Sequence, residues 1–152
     1  MIRQITDRNE KSKIARNVLE ALKEWFEVEE NREKYIRDCA EWIFFAAEED
    51  GKPVGFLCLR ETGKDTVEIA VMGLKKEYHR QGIGRSLVEQ AKETARDTGY
   101  SFMQVKTVQA GMYEDYDKTN LFYTGCGFKY FEVFPLLWDE ANPCQVYVMS
   151  LR

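Results

Sequence analysis

The residues whose types and spacing carry the clearest chemistry lie between 66 and 99. There the apolar run Val67-Glu68-Ile69-Ala70-Val71-Met72-Gly73-Leu74 leads through Lys75-Lys76-Glu77-Tyr78-His79-Arg80 into Gln81-Gly82-Ile83-Gly84-Arg85-Ser86. A strand, a two-glycine turn and a helix in that order make an anion-binding arrangement. Glycine lets backbone N–H groups come close to a phosphate, and the helix that starts there adds unpaired donors and a partial positive charge. The backbone amides from Gln81 to Ser86 form the cradle, and a pyrophosphate is the ligand it suits.

Two common phosphate turns are excluded by detail. A P-loop ends in Gly-Lys-Ser/Thr, whereas Gly84 is followed by Arg85 and Ser86. The dinucleotide fingerprint needs three glycines early in a βαβ unit and an acidic residue about 20 positions on. Here there are two glycines, and the strand before them is the fourth of the chain.

The elements that must position this turn follow from periodicity. A short strand is expected over 2–6, and Asp7 with Glu10 reads as a capping box. The helix after it carries Ile14, Val18, Leu22, Trp25 and Phe26 on one face, and a second helix covers 31–42 with Tyr35, Ile36 and Cys39. Strands over 43–47, 54–59 and 67–74 are joined by turns at Asp50-Gly51 and Gly63. Ile83, Leu87, Val88, Ala91 and Ala95 form the apolar stripe of the next helix, which Gly99 stops. A strand over 102–108 and a helix over 113–124 come next. Two last strands, 129–134 and 145–151, flank a loop containing Pro135, Trp138, Asp139 and Pro143. The order β-α-α-β-β-β-α-β-α-β-β predicts an α/β fold: a mixed, mostly antiparallel sheet of six to seven strands with about four helices.

Composition bounds the rest. A chain of 152 residues with 44% hydrophobic and 13% aromatic residues suits one domain over 1–152 with a substantial core. There is no apolar run of about 18 residues, and the first residues lack the layout of a signal peptide, so a cytoplasmic protein is expected. Cys39, Cys58, Cys126 and Cys144 show no CxxC spacing, and with one histidine no metal site is expected. The net charge of −4, without a basic tail, argues against nucleic-acid or membrane binding and is compatible with a cationic substrate. The local basic set, Lys75, Lys76, Arg80 and Arg85, gathers around the cradle.

The strand-turn-helix resembles the acetyl-CoA site of the GNAT (Gcn5-related N-acetyltransferase) superfamily, whose pattern is Arg/Gln-x-x-Gly-x-Gly/Ala. Counting back from Gly82-Ile83-Gly84, the leading position falls on His79, with Arg80 one place later. A second signature, Leu121-Phe122-Tyr123-Thr124-Gly125-Cys126-Gly127-Phe128, looks like the family's Phe/Leu-Tyr-x-x-x-Gly-Phe. The element order resembles the family fold throughout, with the motifs confined to about 66–128. The resemblance implies acetyl-CoA as acyl donor and pantetheine entering where residues 71–74 face 105–108. It places backbone N–H groups of Met72, Gly73 and Leu74 beside the thioester.

The chemistry of such a site can be set out independently. An alkyl ammonium has a pKa near 10.4, so about one molecule in 10³ carries the attacking lone pair near neutral pH. A base must take the proton, and the resemblance offers Glu68, fourteen residues before Gly82; its apolar neighbours Val67 and Ile69 suit a carboxyl of raised pKa. A strand glutamate facing solvent or paired with lysine is the structural alternative. Attack creates an oxyanion and expels a thiolate, for which the resemblance gives Tyr123 the role of proton donor; packing at a helix end is its alternative. Trp25, Phe26 and Glu27, with Glu24 and Glu29, lie where the first two helices join, bordering the acceptor site in this family. Exposed aromatics beside carboxylates would hold an ammonium there, and a solvated helix end is the alternative.

The resulting expectation is an acetyl-CoA-dependent N-acetyltransferase acting on a small-molecule or peptide amine by direct transfer. The competing expectation is a non-catalytic acyl-CoA-binding sensor or interaction module. The aromatic C-terminal segment, with Phe131, Phe134, Trp138 and Tyr147, offers an interface for a homodimer.

Overall fold

Side-chain capping sets where the chain first becomes helical. Asp7 accepts a hydrogen bond from the Glu10 backbone N–H at 2.8 Å, the donor that the capping box expects to be satisfied. The computed structural model describes all 152 residues. In chain order its elements are β1 (Ile2–Ile5), α1 (Arg8–Glu20), α2 (Glu29–Asp38), β2 (Ile43–Glu49), β3 (Lys52–Gly63) and β4 (Thr66–Leu74). There follow α3 (Ile83–Thr98), β5 (Phe102–Val108), α4 (Glu114–Gly125), β6 (Lys129–Asp139) and β7 (Asn142–Ser150). The seven strands form one mixed sheet in the order β1-β2-β3-β4-β5-β7-β6, as expected for the GNAT fold class.

By packing, the chain divides into two compact units. The first comprises Met1–Arg60 and Ala70–Thr94, the second Glu61–Ile69 and Ala95–Arg152.

In the first unit, β2 pairs antiparallel with both β1 and β3. One face carries Phe44 stacked on Phe56 at 5.2 Å, and Ile14, Val18, Leu19 and Leu22 close over it with Ile36 of α2. Two glycines permit this closeness. A Cβ on Gly73 would lie 3.1 Å from Val18 Cγ1 and 3.2 Å from Leu22 Cδ1, and one on Gly55 would stand 2.9 Å from the Gly73 carbonyl oxygen. Side chains there would push α1 and β3 away from the end of β4.

In the second unit, β4 and β5 pair in parallel over four positions, Thr66↔Phe102 to Ile69↔Val105. β5 pairs antiparallel with β7 over its whole length, and β6 pairs on the far edge of β7. α4 is tied down by Asn120: its side-chain NH2 donates to the Val108 carbonyl at 2.9 Å, and its oxygen accepts a short hydrogen bond from the Tyr147 hydroxyl.

Three expected boundaries need correction. α1 ends at Glu20, and Trp25 and Phe26 lie in turns closed by their N–H groups on the Leu22 carbonyl. Their rings are drawn towards the core, Phe26 edge-on to Tyr35 at 6.1 Å, which overrides helical continuation. The second helix starts earlier, at Glu29, and tightens into a 3-10 turn over Cys39–Glu41 before β2. The expected loop around Pro135 is strand: β6 runs on to Asp139 with an irregular register beyond Phe134. Proline is tolerated because β6 is the sheet's edge, where a ladder N–H can be spared.

Candidate functional site

The turn after β4 has the geometry that its glycines implied. A 3-10 turn over Lys76–Tyr78 follows the strand, and the His79 ring lies with Nε2 2.6 Å from the Leu74 carbonyl oxygen. His79 is thereby spent on holding its own loop. Arg80 adopts φ 64° and Gly82 φ 82°. A left-handed non-glycine residue is uncommon, and together with Gly82 it turns the chain sharply from β4 towards α3. The Ser86 N–H donates to the Gly82 carbonyl at 3.0 Å, the first helical bond of α3. The N–H groups of Ile83 and Gly84 precede that first bond, and the positive end of the helix dipole lies on them. Gln81 side-chain NH2 donates to the Glu77 carbonyl at 3.1 Å, and Ser86 Oγ to the Gly82 carbonyl at 3.0 Å. Of the basic residues around this turn, Lys76 is ion-paired with Glu24. These donors and cations fit a pyrophosphate.

The two proton-transfer candidates both belong to the second unit. Glu68 is buried at 4% exposure, and its Oε2 accepts from Lys106 Nζ at 3.0 Å. Tyr123 is buried on α4, edge-on to Phe122 at 5.4 Å and to Phe128 at 5.7 Å. Burial, with a smaller contribution from nearby Cys126, pushes its phenol well above the ordinary tyrosine value. The ring also packs against Tyr147 at 6.3 Å. Tyr147 is the ladder partner of Val105, and Val105 that of Ile69. Side chains alternate along a strand, so Glu68, one residue before Ile69, projects to the opposite face of the sheet from Tyr147 and Tyr123. The two candidates are therefore not side by side: they lie on either face of the sheet, near the last pair of the β4–β5 ladder.

The proposed acceptor residues fall in the first unit. Trp25 and Phe26 are half-buried against its core instead of exposed, while Glu27 is exposed. Arg32 fixes this segment by donating from Nη1 to the carbonyls of Phe26 at 2.7 Å and Glu27 at 3.2 Å.

Sequence reasoning missed Lys106, Asn120 and Arg32. Lys106 carried one signal, a cation in the strand 102–108 two residues after Gln104 on the same face, but its partner is 38 residues away and emerges only from the parallel register. The four cysteines are free and buried, and no group of three or more His, Cys, Asp or Glu side chains is placed to hold a metal ion. No helix is long and apolar enough to cross a membrane.

Residues 11–128 match the acetyltransferase (GNAT) family. Among solved structures, a GNAT-family protein from Desulfovibrio desulfuricans superposes with a TM-score of 0.86 at 18% identity, covering 100% of this chain and 99% of that one. An aminoglycoside 6'-N-acetyltransferase complexed with coenzyme A gives 0.77 at 18% identity over 100% of this chain and 97% of its own. An acetyltransferase-like protein from Salmonella typhimurium with its cofactor acetyl-CoA gives 0.73 at 16% identity, covering 100% and 94%. No curated protein matches the chain in sequence.

Proposed function

Because its residues 11–128 place the chain in the acetyltransferase (GNAT) family, we propose that it works as one domain over 1–152 that transfers the acetyl group of acetyl-CoA to a primary amine in a ternary complex. The observation that carries this reading is the turn after β4. Left-handed Arg80 and Gly82 lead into the first turn of α3, where the Ile83 and Gly84 N–H groups precede the first helical bond, donors of the kind a pyrophosphate needs.

In this reading the cradle of Gln81, Gly82, Ile83, Gly84, Arg85 and Ser86 holds the pyrophosphate, and Arg80 adds charge. Acetyl-CoA supplies an activated acyl carbon. Glu68 takes a proton from the acceptor ammonium, directly or through water, and the freed lone pair attacks the thioester carbon. As the carbonyl oxygen gains charge, the N–H groups of Met72, Gly73 and Leu74 are its donors. The C–S bond then breaks, the electron pair leaves on sulfur, and the nitrogen of the new amide gives up its second proton to solvent. Tyr123 donates to that sulfur. A phenol whose pKa burial has raised is a better hydrogen-bond donor than a full proton source, so its part is to stabilise the thiolate while solvent completes protonation. The acceptor is a small-molecule or peptide amine. Exposed Glu27 attracts the ammonium, and Trp25 and Phe26 give that segment its apolar wall.

One observation favours a second reading, a non-catalytic acyl-CoA-binding module: Glu68 already neutralises Lys106, and a base must be free to accept a proton. Incubation with acetyl-CoA labelled in the acetyl group decides between them. Label recovered on an amine in step with released thiol supports transfer, and label retained in bound, intact acetyl-CoA supports the binding module.

A further inference from the structure

Lys106 holds its ammonium against the same carboxylate that would deprotonate an external amine. Its Nζ lies 3.0 Å from Glu68 Oε2. Both side chains stand on one face of the sheet, because the register sets Glu68 beside Gln104 and Lys106 is two residues further along β5. Lys106 is also the first residue of β5 beyond the last β4–β5 pair, Ile69↔Val105, within the stretch beside which pantetheine is expected to enter. Two further lysine–carboxylate pairs differ from it. Lys76 meets Glu24 and Lys92 meets Glu89 with carboxylates half in solvent, whereas the Glu68 side chain is 5% exposed. Lys106 keeps 25% of its own side chain exposed, so it is not closed off from a solvent-borne reagent. Val146, its partner on β7, and Val108, two residues on, are buried on the same face. A neutral amide suits that apolar company better than an ammonium does.

We propose that Lys106 is the chain's own first acceptor: with acetyl-CoA bound, Lys106 takes the acetyl group on Nζ, and the chain so modified is the form that acetylates external amines. This inference rests on the acetyl-transfer reading. Glu68 removes one proton from the ammonium, and the freed Nζ lone pair forms a bond to the thioester carbon. The C–S bond breaks with its electron pair on sulfur, and the nitrogen gives up a second proton. Of the two protons lost by nitrogen, one goes to the thiolate and one to solvent, leaving an amide at Lys106 and free CoA thiol. The consequence is regulatory. Acetylation removes the cation that Glu68 neutralises, and a buried carboxylate without its cation is relieved by taking up a proton, which is what deprotonating an external ammonium asks of it. The unmodified chain has its base occupied, and the modified chain has it free.

Mass spectrometry of the full chain after incubation with acetyl-CoA deuterated in the acetyl group tests it, reading Lys106 for light acetyl carried from expression and for heavy acetyl newly added. The parent is expected to approach one acetyl at Lys106 per chain, at a rate independent of protein concentration, and Glu68→Gln to carry at least about tenfold less of either kind. Exposed Lys64 and Lys129 report the slow uncatalysed reaction in the same samples. The second arm adds a panel of primary amines and follows thiol release. Lys106→Arg keeps the ion pair but stays ionised and takes no acetyl group, so it should turn over external amines about tenfold or more slowly than the parent. Lys106→Gln puts a neutral amide in place of the ammonium and should stay within about threefold of the parent, with thermal melts showing that each variant is folded. Labelling of Lys106 no faster than of Lys64 and Lys129, equal labelling in Glu68→Gln, or parental turnover by Lys106→Arg would overturn the proposal. External amines acetylated by a parent whose Lys106 carries no acetyl would overturn it and leave the acetyl-transfer reading standing, whereas acetyl groups on neither Lys106 nor any amine would remove both.

Discussion

Glu68 Oε2 and Lys106 Nζ stand 3.0 Å apart, joining the two neighbouring parallel strands of the sheet through a carboxylate that is almost wholly buried. A buried charge is tolerable only when paired, and removing one partner leaves the other exposed to the full desolvation penalty. Lys106 is therefore the residue on which the proposed base depends. Lys106→Met should destabilise the fold by about 1–3 kcal/mol in urea denaturation at neutral pH. Glu68→Gln combined with Lys106→Met should recover most of that stability but none of the activity. A double variant no more stable than the single one would show that the pair is not energetically coupled.

Glu68→Gln alone keeps the shape and removes the proton acceptor. Turnover should fall by about 10² or more near neutral pH with little change in acetyl-CoA affinity, and the deficit should shrink as pH rises and more acceptor amine is already neutral. Steady-state kinetics from pH 6 to about 9 check this. A parental kcat throughout would leave a water chain as the base.

Tyr123→Phe should preserve ring packing and reduce turnover roughly 10- to 10³-fold, because a thiolate of ordinary pKa near 8.5 leaves partly unassisted. The same variant has a signature in stability. Burial raises the phenol pKa in the folded chain above its unfolded value near 10. The folded state thus keeps the proton longer, and the associated stability, complete below about pH 10, is lost as pH rises through the raised folded value. Alkaline melts should show the parent losing Tm more steeply above pH 10 than Tyr123→Phe. Parallel curves would mean that the phenol is not desolvated. Tyr147, whose phenol burial also raises, persists in both proteins as an internal control.

Gly84→Asp adds a side chain and a negative charge to the first turn of α3, where the dipole and the first backbone N–H groups of the helix would meet phosphate. Calorimetric titration should find acetyl-CoA binding abolished in a folded variant. Binding within a factor of two of the parent would remove the phosphate from this turn.

What was legible in the sequence was local. The Asp7 cap, the apolar stripe of α3 with Leu87, Val88, Ala91 and Ala95 fully buried, and the two-glycine turn all depend on residues within a few positions of one another. The element order followed from the same short-range patterns, and the family resemblance from two local motifs. What was missed was set by distant partners. Trp25 and Phe26 looked like exposed aromatics at a helix end, but the core formed by β2, β3 and α2 draws them in. A lysine pair for Glu68 was legible only as an alternative, and its partner was not, because the register Glu68↔Gln104 that brings Lys106 near it exists only once the parallel strands are aligned. The strand continuing through Pro135 is not legible locally, because proline is tolerated in a strand only at an edge, and the place of β6 at the edge depends on the whole sheet.

The most direct measurement is release of free CoA thiol from acetyl-CoA against a broad panel of primary amines, run side by side for the parent, Glu68→Gln and Tyr123→Phe after each has been shown to bind acetyl-CoA. Amine-dependent release by the parent, slowed in both variants at unchanged affinity, is the expected result. Tight acetyl-CoA binding by all three proteins, with no thiol released above background for any amine, would contradict acetyl transfer and leave a binding module.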